Sequence, residues 1–166
     1  DPLLFFGDLT GNQHAGLALT GELRWKKRIE DHSAATMTAV AELSDGVLFV
    51  PVSSLEKGAA IAGGYPCCSF RGSIVALDAK SGDEIWRRHF IPPAEQRGVN
   101  AAGTPQYGPS GVPIWAGMAM EADHLYIATG DDYSGEGSET SDAIIALDKA
   151  SGQRSGFVRP ASAISG

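Results

Sequence analysis

Acidic side chains that stand directly after predicted strands could bind a cation. Glu56 follows the apolar strand 47–52, and Asp131 and Asp132 follow the strand 125–129. If these strands belong to neighbouring sheets, their carboxylates can meet, and carboxylate oxygens are ligands that Ca²⁺ prefers. Glu56 and Asp131 are therefore candidate ligands of a calcium ion. The alternative is that both are solvated loop acids.

Arg71 and Trp115 are suited to hold a flat, acidic organic molecule. A guanidinium group can bind a carboxylate through two parallel hydrogen bonds, and an exposed indole can stack on a flat ring system. Arg71 could equally form a structural ion pair, and Trp115 could be a core residue. Hydroxyl groups that could donate hydrogen bonds to the same ligand are those of Thr36, Thr38, Ser53 and Ser54.

The two cysteines of the chain, Cys67 and Cys68, are adjacent and lie four residues before Arg71. Two cysteines cannot complete a zinc site. Neighbouring cysteines can close a disulfide ring, and two reduced thiols are the alternative. The sequence contains no Cys-x-x-Cys-His haem attachment motif, so any haem would lie outside this chain.

A repeated sequence predicts the elements that position these residues. The triplet Ala-Leu-Asp occurs at 76–78 and 146–148, each time after an apolar run and before a turn glycine. Recurrence of one short unit is typical of repeat proteins. A third, weaker copy has its turn glycine at Gly21, and a tryptophan follows that glycine by four residues in two copies, as Trp25 and Trp86.

The apolar runs of the repeat indicate stacked sheets. Residues 74–77 and 143–147 are continuously apolar, which is typical of strands covered on both faces. Strand, tight turn and returning strand together predict one corner of a propeller blade, with Trp25 and Trp86 docked against the neighbouring blade. The fold class is therefore all-β, a partial β-propeller.

The repeat divides the chain into units of roughly 1–30, 31–90 and 91–158, followed by an unpatterned tail at 159–166. About three blades are fewer than the four to eight that usually close a propeller. We therefore expect residues 1–166 to be a fragment of one propeller domain. The segment 36–43 could form one turn of helix or a further strand, and we favour the strand.

The charge and the hydrophobic content of the chain indicate which kinds of partner it can bind. The formal net charge is −7, and 43% of the residues are hydrophobic. The one basic cluster, Arg24–Arg28, is interrupted by Trp25 and is interpreted as a solvated strand end. The acidic balance of the chain therefore argues against nucleic acid and anionic membranes as partners. No apolar stretch approaches the roughly 20 residues that a membrane span needs.

Six segments carry a family resemblance because they occur together and in one order. They are Phe6–Asn12, Val50–Glu56, Cys67–Asp78, Tyr107–Gly111, Ile114–Trp115 and Ala128–Ser134. Together they resemble the pyrroloquinoline-quinone (PQQ) dependent alcohol dehydrogenases, and most of all the polyvinyl-alcohol dehydrogenase branch.

The resemblance implies an eight-bladed propeller, of which this chain forms about three blades. It implies PQQ as cofactor, with Ca²⁺ bound by Glu56 and by Asp131, where the related enzymes have asparagine. The vicinal cysteines of methanol-type relatives lie in another blade, so the place of Cys67 and Cys68 near the cofactor is inferred from their closeness to Arg71. The predicted PQQ-binding residues are Arg71, Trp115, Thr38, Ser54, Cys67 and Cys68.

The implied activity is oxidation of alcohol hydroxyls, in polyvinyl alcohol or other secondary alcohols, to a ketone or aldehyde. Electrons would pass to an external acceptor such as cytochrome c, in the periplasm. The catalytic aspartate of the family falls in a later blade, so no catalytic base is assigned and the fragment alone is expected to be nearly inactive. The alternative is a non-catalytic propeller of the same repeat that acts as a scaffold or binding module.

Overall fold

The computed structural model describes residues 1–135 and 137–158, and these residues form mostly β-strands. Strands account for 46% and helix for 3% of the structure, which confirms the predicted all-β class. The one helix among the described residues is α1 (Glu56–Ala59). The predicted tail at 159–166 lies outside the described residues.

Three sheets follow one another along the chain, and all their strand pairs are antiparallel. The first contains, in spatial order, β1 (Leu3–Gly7), β2 (Asn12–Leu17) and β3 (Leu23–Arg28). The second contains β4 (Ala35–Thr36), β5 (Glu42–Ser44), β6 (Val47–Ser54), β7 (Ser73–Asp78) and β8 (Glu84–His89).

In the second sheet, β6 pairs with β7 and β7 with β8, while β4 and β5 pair with β6. A ribbon of β9 (Glu95–Val99) and β10 (Pro105–Gly108) then precedes the third sheet. The third sheet contains, in spatial order, β11 (Ala119–Met120), β12 (His124–Ala128), β13 (Ile144–Asp148) and β14 (Arg154–Val158).

The strand predicted within 36–43 is split into β4 and β5. Its continuity is lost at Met37, whose N–H donates to the Asp8 carbonyl beside the first sheet, at 3.2 Å. Met37 is buried and its Cβ lies against Gly7, which has no side chain to clash with it. The segment between β4 and β5, at the edge of this sheet, is therefore anchored to the first sheet.

The turns of the repeat are stabilised by an aspartate and a glycine. Asp78 Oδ1 accepts hydrogen bonds from the N–H groups of Lys80 and Ser81, at 2.9 and 2.8 Å. Asp148 Oδ1 accepts from Ser151 N–H at 2.8 Å. The turn glycines have positive φ, the conformation that glycine adopts without steric cost, with values of 73°, 73° and 66° at Gly21, Gly82 and Gly152.

The tryptophans dock against neighbouring sheets, as predicted. Trp25 Nε1 donates to the Ala79 carbonyl of the second sheet at 3.1 Å, and Trp86 Nε1 donates to the Lys149 carbonyl of the third at 3.0 Å. Each ring covers the turn glycine so closely that an added Cβ would collide with it, 2.8 Å from Trp25 at Gly82 and 2.6 Å from Trp86 at Gly152.

Two apolar cores hold the three sheets together, and β7 contributes to both. Its Val75 packs into the core with Trp25 of the first sheet, while its Ile74 packs into the core with Ile145 of the third sheet. Successive strand residues point to opposite faces, so a strand covered on both sides needs apolar residues at every position. This explains the continuous run at 74–77.

Among residues 1–135 and 137–158, no helix has both the length and the apolar character needed to cross a membrane.

Candidate functional site

Three loops are joined by backbone hydrogen bonds where β6 and β12 end. Gly72 N–H donates to the Gly111 carbonyl at 2.9 Å, and Val112 N–H donates to the Asp131 carbonyl at 2.8 Å. The approach is so close that a Cβ on Gly72 would lie 1.7 Å from the Val112 carbonyl oxygen. Glycine is therefore required where the Cys67–Asp78 and Tyr107–Gly111 segments meet.

Trp115 lies on this surface and is 59% exposed. A Cβ on Gly130 would lie 2.5 Å from Trp115 Nε1, so the indole sits directly against the glycine backbone. Gly130 N–H donates to the Pro113 carbonyl at 2.8 Å, which fixes the two loops relative to each other. Trp115 thus has a supported position and an accessible ring, unlike the interlocked Trp25.

Asp131 follows Gly130 and forms an ion pair with Lys57, and both side chains are exposed. Ion pairs at such exposed positions contribute about 0–1 kcal/mol. This pair therefore adds little to the stability of the fold. Asp132 shapes the turn instead, because its Oδ1 accepts the N–H groups of Ser134 and Gly135, at 2.8 and 2.6 Å.

Glu56 is not the solvated loop acid of the alternative interpretation, because the residue is 0% exposed. Oε1 accepts the Ser69 N–H at 2.8 Å and Oε2 accepts the Phe70 N–H at 2.9 Å. Tyr65 Oη and His32 Nε2 each lie 3.3 Å from Oε1. The carboxylate therefore holds the loop at 65–70 through three donors of that loop, and His32 contacts it from outside the loop.

The pKa of Glu56 lies below its ordinary value. Burial alone would raise the pKa, but the hydrogen bonds from His32, Ser69 and Phe70 and the charge of His32 outweigh burial. Glu56 is thus ionised at neutral pH.

Tyr133 lies close to Glu56 and was not predicted from the sequence as a site residue. Burial and the charges of Asp131 and Glu56 raise its pKa.

Ser69, His32 and Glu56 superficially resemble a catalytic triad. However, Ser69 Oγ and Glu56 Oε1 both contact Nε2 of His32, at 3.1 and 3.3 Å. Nδ1 accepts the Ala34 N–H at 3.2 Å. In a triad the two partners occupy different ring nitrogens, so this ring cannot relay a proton from Ser69 to Glu56.

Cys67 and Cys68 are joined by a disulfide bond in the structure. Tyr107 N–H donates to the Cys67 carbonyl at 2.7 Å, and Glu56 holds the following residues, Ser69 and Phe70. The cysteine loop is therefore fixed from two sides.

Among the described residues, no contact between Arg71 and either Trp115 or Asp131 is found. Its Nη1 donates to the Ile91 carbonyl at 3.3 Å. Its side chain lines a cavity of about 270 Å³, next to the end of β8. The other residues that line this cavity are Glu30, His32, Ser69 and His89.

Three of the four predicted hydroxyl residues lie together, because Thr36 pairs with Ser53 across β4 and β6 and Ser54 follows Ser53. Thr38 is exposed in the break between β4 and β5, and Ser54 Oγ accepts the Glu56 N–H at 2.9 Å. Thr36 and Ser53 are buried.

Each of the two predicted calcium ligands has partners within the protein. Both oxygens of Glu56 accept hydrogen bonds from the protein, and Asp131 is paired with Lys57. Within the described part of the chain, no group of three or more His, Cys, Asp or Glu side chains is arranged to hold a metal ion. Calcium binding at Glu56 and Asp131 remains a prediction, and no chemical step is derived through it.

Solved structures resemble the fold at low sequence identity. A quinohemoprotein alcohol dehydrogenase of Pseudomonas putida matches 95% of this chain and 25% of its own, with a TM-score of 0.72 and 20% identity. A europium-containing methanol dehydrogenase matches 96% and 31%, with a TM-score of 0.71 and 20% identity. BamB of Moraxella catarrhalis matches 95% and 34%, with a TM-score of 0.55 and 20% identity. The chain thus has the fold of part of a quinoprotein-dehydrogenase propeller.

Curated relatives are closer in sequence. Over 154 residues the chain is 36% identical to a polyvinylalcohol dehydrogenase of a Pseudomonas species, covering 90% of this chain and 24% of the relative. The polyvinylalcohol dehydrogenase of Sphingopyxis sp. strain 113P3 is 35% identical over 153 residues, with 90% and 23% covered. No family model matches. The resemblance to polyvinyl-alcohol dehydrogenases is confirmed, and the chain spans about a quarter of their length.

Proposed function

We propose that this chain is part of an enzyme that oxidises the hydroxyl groups of alcohols with PQQ as cofactor. The substrates are polyvinyl alcohol or other secondary alcohols, and the products are ketones or aldehydes. The observation that carries the proposal is the exposed indole of Trp115, held against Gly130 next to the charged pair of Lys57 and Asp131. The homology to polyvinylalcohol dehydrogenases supports the choice of substrate class.

The chain's own residues would bind and orient the cofactor. Trp115 offers a flat apolar surface for stacking, and the Lys57 ammonium group offers a positive charge to an acidic ligand. The disulfide loop of Cys67 and Cys68 is fixed near the same loops by Glu56 and Tyr107. When bound, a quinone of this kind supplies the acceptor for the electrons removed from the carbinol carbon. Arg71 lines a cavity together with His32 and Ser69, and its contact with the cofactor stays a prediction.

We also propose an electron acceptor and a cellular location for this enzyme. Electrons would leave through an external acceptor such as cytochrome c, and the protein would work in the periplasm, where a disulfide between Cys67 and Cys68 would persist.

The second candidate is a propeller of the same repeat that acts as a scaffold or binding module. It is favoured by the arrangement of Glu56, whose oxygens serve the loop at 65–70, and by the direction of Arg71, which contacts Ile91. Neither residue is presented to a ligand beside Trp115 in this arrangement.

The test is an activity measurement on the whole polypeptide that contains this chain. The protein is incubated with PQQ and CaCl₂, and reduction of a dye or of cytochrome c is followed after addition of polyvinyl alcohol. We expect reduction that depends on both PQQ and alcohol. A folded protein that reduces neither acceptor with polyvinyl alcohol or a small secondary alcohol would favour the scaffold. A parallel series with EDTA tests whether calcium is needed.

A further inference from the structure

The cavity that Arg71 lines lies where the first and second sheets meet. Its walls are Glu30 and His32, which follow β3, Ser69 and Arg71, which precede β7, and His89, which ends β8. Neither the indole of Trp115 nor the ion pair beside it belongs to these walls. The cavity is therefore distinct from the surface that the proposed function assigns to the cofactor.

Arg71 brings to the cavity a positive charge that is not paired with a carboxylate. Among the described residues, its one hydrogen bond runs from Nη1 to the Ile91 carbonyl at 3.3 Å. A guanidinium group has five N–H donors in a fixed fork, and this fork matches the oxygens of a carboxylate or a phosphate. Most of the donors of Arg71 are thus available to an anion.

Ser69 adds a hydroxyl donor whose position is fixed. His32 Nδ1 accepts the Ala34 N–H at 3.2 Å, so the ring proton is on Nε2. Nε2 lies 3.1 Å from Ser69 Oγ and therefore donates to it. The hydroxyl hydrogen of Ser69 then has no acceptor among the described residues, while its backbone N–H is held by Glu56 at 2.8 Å. The hydroxyl group is thus ready to donate into the cavity.

Glu30 is the one acid in the walls, and its oxygens already have partners. Oε1 accepts the N–H groups of Asp31 and His32, at 2.9 and 3.3 Å. Oε2 lies 3.5 Å from Nη1 of Arg87. The carboxylate therefore stabilises its own loop and pairs with Arg87, so it does not neutralise Arg71.

His89 shows that positive charge prevails in this region. Burial and the positive charges of Arg71 and Arg87 lower the pKa of His89, although the charge of Glu30 opposes them. His89 Nδ1 is also buried without a hydrogen-bond partner among the described residues. Buried polar atoms normally have such a partner, so this nitrogen indicates an occupant that the described residues do not supply.

We propose that this cavity binds a small oxyanion such as inorganic phosphate, held by the guanidinium group of Arg71 and the hydroxyl group of Ser69. The chain carries a formal net charge of −7, so the overall field of the protein repels anions and binding must depend on these local donors. A carboxylate group of the cofactor has the same chemistry, and the experiments below separate the two sources. The inference does not rest on the proposed enzymatic function.

The test is a calorimetric titration of the whole polypeptide with inorganic phosphate at constant ionic strength. Arg71→Gln is compared with wild type and with Arg24→Gln, which removes the same charge from an exposed position on β3. We expect Arg71→Gln to raise the Kd about tenfold or more, as for the loss of a hydrogen bond to a charged group. Arg24→Gln should change it less than about twofold, because exposed charges are screened. Equal effects of the two variants, or no binding by folded wild type, would overturn the proposal.

Ser69→Ala covers the case in which Arg71→Gln fails to fold. It removes the hydroxyl group but keeps the backbone N–H that Glu56 accepts. We expect it to raise the Kd for phosphate about 2–10-fold, the effect of one lost hydrogen bond. A Kd equal to that of wild type would overturn the proposal.

The source of the anion is tested by titrating wild type with phosphate in the presence of PQQ. We expect the same Kd for phosphate with and without PQQ, because Trp115 does not line the cavity. A Kd that rises in proportion to the PQQ concentration would overturn the proposal and assign the cavity to a carboxylate of the cofactor.

Discussion

Replacement of Glu56 by alanine is expected to lower the free energy of unfolding by about 3–5 kcal/mol, the range for removing one partner of a buried charged network. The side chain is fully buried, and its loss leaves the N–H groups of Ser69 and Phe70 without acceptors. Urea denaturation of the whole polypeptide, followed by circular dichroism, measures the change. A loss below about 1 kcal/mol, typical of surface substitutions, would show that the carboxylate does not hold the loop.

Glu56→Gln is the matched control for charge. It keeps the shape and one acceptor oxygen, so we expect a smaller loss than with alanine. The pKa of Glu56 is lowered in the folded state, so its carboxylate stabilises the fold above the unfolded pKa of about 4.3. That stabilisation is lost as the pH falls through the folded pKa. Wild type should therefore lose stability below about pH 4.3 more steeply than Glu56→Gln, and parallel pH profiles would contradict this.

Replacement of Trp25 by alanine is expected to cost about 3–5 kcal/mol, the range for large-to-small substitutions of buried aromatic residues. Trp25 is 8% exposed and joins the first sheet to the second through both its ring and its indole N–H. The same urea denaturation measures this loss in the whole polypeptide.

Trp25→Phe separates packing from hydrogen bonding at this joint. Phenylalanine keeps an aromatic ring over Gly82 but cannot donate to the Ala79 carbonyl, at present a 3.1 Å hydrogen bond. The missing hydrogen bond alone is worth about 0.5–1.5 kcal/mol, and the smaller ring adds to the loss. A Trp25→Ala variant as stable as wild type would refute the docking role.

The architecture could be predicted from sequence because each repeat is locally self-consistent. Asp78 and Gly82 specify the turn, and the unbroken apolar run of β7 specifies a strand covered on both faces. These signals act over a few residues and need no knowledge of the tertiary structure. The split between β4 and β5 escaped prediction because it depends on Met37 bonding to Asp8 in another sheet.

The site could be predicted only in part, because side-chain direction at strand ends depends on how loops meet. The exposure of Trp115 follows from its place outside the repeat. The burial of Glu56 depends on a loop that folds back to offer Ser69 and Phe70 amides, and the direction of Arg71 depends on Ile91. His32 carried no motif that could have revealed its contact with Glu56.

The most direct test is a calorimetric titration of the whole polypeptide with PQQ, comparing wild type with Trp115→Ala. Stacking of a flat ring on an aromatic side chain is worth about 1–3 kcal/mol, which corresponds to about 5–150-fold in affinity. We predict that Trp115→Ala raises the Kd by a factor in this range, while Ile85→Ala, a similarly exposed position on β8, leaves it unchanged. Equal affinities of wild type and Trp115→Ala, or no binding by the folded wild type, would contradict the assignment of this surface to a flat cofactor.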